Sequence, residues 1–169
     1  MLKALNVGSG QKPYRSTTGI EWRNMDVNPR WEPDIVGDWA DLRMFETESL
    51  DIVVAEQTVE HVGCGEAMPL FKEAYRVLKP GGVLVITMPD LKALAQRWML
   101  GQIDDFIYSV NLYGAYMGHD ADRHKWNTSY EGWVKFLMDA APWSSVRRGA
   151  HTQAPVARDW WILEIGATK

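Results

Sequence analysis

Cysteine is nearly missing: Cys64 is the only one in 169 residues. No disulfide can form within the chain, and the sequence fits a reducing compartment. Long hydrophobic runs are missing as well, and none approaches the ~20 residues that span a bilayer. The first expected strand begins by about residue 4, which leaves no room for a signal peptide. The expectation is a cytoplasmic protein with no membrane partner. An excess of positive charge is also lacking. Lys and Arg number 18 against 22 Asp and Glu, a formal net charge of −4. Broad electrostatic capture of nucleic acid is therefore not expected. There is no internal repeat, low-complexity tract or linker. What is present is a soluble globular composition, 46% hydrophobic and 24% charged. The length suits a single domain over 1–169 with a real core. Tryptophan is unusually frequent, with nine copies for core packing or an aromatic pocket.

Apolar runs alternate with helical patterns. Ala4 to Val7, Trp22 to Val27, Asp34 to Val36, Leu50 to Ala55 and Val83 to Met88 read as strands. The Leu50 run is broken only by Asp51, as for a central parallel strand buried on both faces. Ala67, Leu70, Phe71, Ala74, Tyr75 and Leu78 form one apolar helical stripe. Lys79-Pro80-Gly81-Gly82 ends that helix, since proline cannot continue it. Leu91 to Leu100 reads as a helix, and Gly101 to Asn127 as irregular. Thr128-x-x-Glu131 is a capping-box pattern that opens another helix. Segments near Ser144 to Arg148 and Trp160 to Ala167 complete the chain. Strands alternating with crossover helices predict a doubly wound α/β fold, mostly parallel, with helices on both faces.

The sharpest chemical signal is Leu5-Asn6-Val7-Gly8-Ser9-Gly10, a strand running into a Gly-x-Gly turn. Such a turn lets main chain approach a ligand where a side chain would collide. Asp26 follows Gly8 by eighteen positions at the end of the second strand. That is the layout of a nucleoside-binding domain, with a carboxylate for ribose hydroxyls. A competing role for Asp26 is to cap the turn before Asn28-Pro29.

Five blocks in order then carry a resemblance: the glycine turn, Asn24-Met25-Asp26-Val27, Asp34-Ile35-Val36-Gly37-Asp38, Val59-Glu60-His61, and Leu78-Lys79-Pro80-Gly81-Gly82 before an apolar strand. Together they resemble the class I S-adenosylmethionine-dependent methyltransferases, in particular a small subgroup that starts directly at the first strand. The resemblance implies a Rossmann-like, seven-stranded sheet with an antiparallel last strand. It implies S-adenosylmethionine as cofactor and, by subgroup, a small-molecule or saccharide acceptor. Gly8 and Gly10 would face the aminocarboxypropyl arm and Asp26 the ribose. Asp38 would hold the adenine amino group beside the Trp39 main chain, with Asp41 as its rival, and Gln57 would lie near the reacting methyl. Residues 101–129 would form a substrate lid.

Within that lid, His124-Lys125-Trp126 resembles a subgroup pattern. His124 is the first candidate to take a proton from an acceptor hydroxyl, and His119 the second. A polar loop with hydrogen-bonded or exposed histidines is the competing reading. His119, Asp120, Asp122 and His124 have metal-ligand residue types, but their spacing fits no ligand motif and no metal is expected. Glu60 and His61 are expected to shape a turn, and Cys64 to be a packed thiol. A nicotinamide-dependent reductase is disfavoured by Pro13, which stands at the third glycine position of that fingerprint. A DNA amino-methyltransferase is disfavoured because Ala55-Glu56-Gln57-Thr58 stands where such enzymes carry a Pro-Pro-aromatic block. A cofactor-binding protein without catalysis remains the alternative of a different class.

Overall fold

Buried aliphatic runs pair into seven strands in the computed structural model, which describes residues 1–116, 118–149 and 162–169. They are β1 (Leu2–Val7), β2 (Ile20–Asp26), β3 (Ile35–Val36), β4 (Leu50–Glu56), β5 (Leu78–Pro89), β6 (Ser145–Arg148) and β7 (Ile162–Thr168). The helices are α1 (Cys64–Val77), α2 (Leu91–Met99), α3 (Asp105–Tyr113) and α4 (Tyr130–Ala140). The sheet order is β3-β2-β1-β4-β5-β7-β6. β1 to β5 are parallel, and β7 is antiparallel to both of its neighbours. The expected last strand began at Trp160. Its described part begins at Ile162, and Trp160 lies outside the described residues.

Register explains where a ligand fits. Val7 pairs with Met25, and Asn6 with both Asn24 and Val54. The carboxyl ends of β1, β2 and β4 therefore lie side by side. The chain winds outward from β1 to β3 and then crosses back to β4. That reversal opens a crevice beyond the strand ends, where open α/β sheets bind ligands.

One face of the sheet carries the main core. Leu5, Val7, Val53, Ala55, Leu84 and Ile86 pack there against Leu70 and Phe71 of α1 and Trp133 and Leu137 of α4. Phe71 lies edge-on between Trp39 and Trp133, with ring centroids 6.5 and 6.2 Å away, so several tryptophans are core packing. On the opposite face a loop, not a helix, joins β1 to β2. Its Tyr14 packs edge-on against Trp22 and donates from its hydroxyl to Glu56 at 2.6 Å.

Three local expectations change. α3 occupies part of the segment expected to be irregular. Asp104 caps it by accepting from Ile107 N, and Tyr108 stacks on Trp98 of α2. None of its residues is buried, so it shows no apolar stripe. The N-cap of α4 is Ser129, because Thr128 is tied back to Asn127 Oδ1 and packs over Gly132. Cys64 opens α1 as expected, but it is exposed, since it precedes the first buried position of the stripe, Ala67.

The connection from β3 to β4 has neither helix nor strand, yet α1 holds it. Arg76 donates to Leu42 O at 2.9 Å and Phe45 O at 3.0 Å while paired with Glu73 at 2.8 Å. Arg76→Ala removes the guanidinium donor from Phe45 O and leaves Leu42 O only the N–H of Phe45, and it is expected to lower stability by about 2 kcal/mol, read from urea unfolding. The hydrogen bonds from Arg76 hold the Glu73 carboxyl below its ordinary value of 4.5. A depressed carboxyl contributes stability that is present above its unfolded value and is lost as pH falls through its folded one. Acid titration of the parent protein is expected to show that loss below about pH 4.5, and titration of Arg76→Ala is expected not to.

Candidate functional site

The turn after β1 is built for close approach. Gly8 and Gly10 have φ of +65° and +48°, the left-handed region that disfavours side chains. A Cβ on Gly8 would overlap Oγ1 and Cγ2 of Thr58 in the connection after β4. Ser9 N bonds Met25 O at 3.0 Å and fixes the turn on β2.

Asp26 ends β2 and is 8% exposed. Its two oxygens accept from Gly10 N and Asn28 N, each at 2.8 Å. It caps the Asn28 turn and faces the glycine turn at once, so the two sequence roles coexist. A carboxylate has about four acceptor positions, so two remain for a ligand. Asp38 is exposed at the rim and accepts from Ala40 N at 2.9 Å, while Trp39 is buried beside it. Its rival Asp41 pairs with Arg43 in solvent. Gln57 adopts φ +48° although it is not glycine, anchored by its N–H to Thr87 O at 2.8 Å. Non-glycine backbone held in that region tends to cluster at ligand sites. Gly8, Gly10, Asp26, Asp38, Trp39 and Gln57 line one cavity of about 790 Å³ at the carboxyl ends of the strands, and Asp41 does not.

Ala115 and the segment 118–125 form the opposite wall. The segment is anchored by Lys125 N and Trp126 N, both donating to Glu60 O, and by His124 N donating to Tyr113 O. His119, Asp122 and His124 face the cavity. His119 is exposed and accepts from Ala121 N on Nδ1, which caps the short turn Asp120–Asp122. His124 is half-buried, with Nδ1 at 2.8 Å from Asn111 O. His61 comes from the turn after β4, and its Nδ1 lies 3.1 Å from Arg123 O. The two rings meet edge-on at 4.7 Å.

Glu60 lies behind them at 0% exposure, and neither carboxylate oxygen has a hydrogen-bond partner. Burial pushes its carboxyl up to about 8. Burial, and then the neighbouring His61, pull His124 down to about 4. Glu60 Oε1 and His124 Nε2 are 4.0 Å apart, beyond hydrogen-bond reach, and burial disfavours charge on both, so this contact is not an ion pair at neutral pH. The metal-ligand types that meet in space are therefore Glu60, His61 and His124, not the His119 to His124 set weighed in the sequence. Glu60 and His61 were visible as a block, but nothing in the letters marks a glutamate as fully buried.

Residues 8–19 form no helix, so a nicotinamide pyrophosphate would lack the helix N-terminus that normally receives it. Among the described residues no helix is long and apolar enough to cross a membrane.

Comparisons with known proteins agree with this layout. Residues 15–86 match a protein family described as a methyltransferase domain. No curated protein sequence matches the chain. Among solved structures, a SAM-dependent methyltransferase from Archaeoglobus fulgidus is similar with a TM-score of 0.65 and 17% identity, over 99% of this chain and 86% of that one. One from Methanosarcina mazei has a TM-score of 0.64 and 18% identity, over 99% and 92%. A possible exported protein from Bordetella parapertussis has a TM-score of 0.66 and 15% identity; it covers 99% of this chain, which spans only 61% of that protein. At these identities the likeness is one of fold. The sequence match is thus to a methyltransferase domain over residues 15–86, and the fold is shared with SAM-dependent methyltransferases, enzymes whose cofactor is S-adenosylmethionine.

Proposed function

We propose that this protein is an enzyme that methylates a small-molecule or saccharide acceptor. The observation that carries the reading is the glycine turn packed against Thr58, facing an Asp26 carboxylate with two acceptor positions to spare. These residues fit S-adenosylmethionine, which supplies a methyl group activated by its positive sulfur. Gly8 and Gly10 bring bare main chain to its amino-acid arm. Asp26 accepts from its ribose hydroxyls. Asp38 and the Trp39 main chain bound the adenine end, and Gln57 the methyl end. Because the donor is already activated, the chain mainly aligns the reactants and excludes water. Segment 101–129 acts as the acceptor lid, and its polar inner wall of His119, Asp122, His124 and Lys125 suits a hydroxylated molecule.

His124 is the residue at which an acceptor hydroxyl is activated, and His119 is its second. A carbonyl only accepts, so the bond to Asn111 O places the His124 proton on Nδ1. Nε2 then keeps its lone pair at the cavity wall. His124→Ala is expected to leave S-adenosylmethionine affinity unchanged and to slow single-turnover transfer by about 10²-fold or more. Normal transfer would remove His124 from the chemistry.

The function is tested first by thermal shift with S-adenosylmethionine, S-adenosylhomocysteine and NAD. The first two are expected to raise Tm and NAD to leave it unchanged, since only a ligand of the folded state stabilises it. Methyl transfer to a panel of hydroxylated acceptors then follows. Binding without transfer to any acceptor would favour a cofactor-binding protein without catalysis.

A further inference from the structure

Glu60, His61 and His124 form a cluster of three ligand-type side chains. Carbonyl oxygens cannot donate, so the contacts to Arg123 O and Asn111 O place the ring protons of both histidines on Nδ1. Each ring then presents the bare lone pair of Nε2. Glu60 adds two oxygens that no donor reaches, at full burial. One ligand atom from each residue lies within 4.8 Å of the others. A buried acid group without a hydrogen-bond partner is disfavoured in either protonation state, and neither histidine bonds it. Nothing within the cluster satisfies it; a cation satisfies all three groups at once.

We propose that Glu60, His61 and His124 bind one divalent first-row transition cation at the acceptor end of the cavity. Two imidazoles and one carboxylate favour zinc, iron, manganese or cobalt over magnesium or calcium, which prefer all-oxygen shells. Histidine ligands characteristically donate their second nitrogen to a carbonyl or carboxylate, as both rings do here. Two ligands on bonds of about 2.1 Å are at most about 4.2 Å apart. The side chains therefore draw inward slightly on binding, with each ring turning about its Nδ1 anchor. Three protein ligands leave coordination positions open. His61 and His124 both line the cavity, so those positions face it. With His124 Nε2 on the ion, the ion and not the imidazole activates the acceptor: a hydroxyl oxygen bound at an open position loses its proton to solvent more readily and becomes the better nucleophile. The ion would also tie the turn after β4 to segment 118–125.

The proposed role toward an acceptor rests on the methyltransferase reading; the metal site itself does not. The test is a cobalt(II) titration of tag-free, full-length protein without S-adenosylmethionine, followed by calorimetry and visible absorption. One equivalent is expected to bind with visible bands, to be displaced by zinc, and to be indifferent to excess magnesium. In the parent protein, cobalt is expected to shift two exchangeable imidazole Nδ1–H proton resonances. Glu60→Gln keeps shape and removes the charge, so it is expected to remain folded by circular dichroism while cobalt affinity falls at least about tenfold. Absence of stoichiometric binding, unshifted imidazole protons, or unchanged affinity in Glu60→Gln would each overturn the site. S-adenosylmethionine affinity is measured in parallel on chelator-treated protein. A cobalt failure with cofactor binding intact overturns the metal site alone, and the reverse pattern overturns the methyltransferase reading alone.

Discussion

Asp26→Ala is expected to lower S-adenosylmethionine affinity by roughly a hundredfold or more. The proposed ribose contacts are two charge-assisted hydrogen bonds, each worth about 1.5–3 kcal/mol, and even the low end sums to about 3 kcal/mol. The same substitution releases Gly10 N and Asn28 N, so the glycine turn loses its anchor to β2 as well. Asp26→Asn is also expected to bind weakly. Its amide nitrogen would face one of two main-chain N–H groups, and neither can accept a hydrogen bond from it. Titration calorimetry decides the matter, and unchanged affinity for either variant would remove Asp26 from the cofactor site.

Gly8→Ala carries the second large effect. Its φ of +65° costs an alanine roughly 1–2 kcal/mol, and overlap with Thr58 adds a comparable amount, for a total of about 3 kcal/mol. Thr58 cannot turn aside freely, because its hydroxyl bonds Glu56 O at 2.9 Å. The urea midpoint is expected to fall, and cofactor affinity with it. In Gly8→Ala/Thr58→Ala the overlap is relieved while the backbone cost stays, so a coupling of at least about 0.5 kcal/mol is expected. Strict additivity of the two substitutions would show that the two segments do not press on each other.

These two positions show what a sequence makes legible. Gly8 and Asp26 announce themselves because their residue types do something few others can: one tolerates φ above zero and the other accepts several hydrogen bonds. Strands such as β4 and the helix α1 are readable because burial imposes a repeat on their side chains. α3 is not readable, since its stability comes from an Asp104 cap and contacts to α2, and Phe106 and Tyr113 stay 74% and 66% exposed. Nor does the pairing of His61 and His124 show in the letters. Their ring nitrogens are oriented by the main-chain oxygens of Arg123 and Asn111, which any residue type supplies. The left-handed turn at Gln57 is hidden for the same reason: its anchor is the carbonyl of Thr87.

The outer strands of the sheet bear on behaviour at high concentration. β3 contributes only two residues, and β6 only four, ending in Arg147 and Arg148. A strand margin is a template for another chain in proportion to the free donors and acceptors it displays. Among the described residues one margin is too brief to seed a ladder and the other ends in two cations, features that disfavour edge-to-edge aggregation.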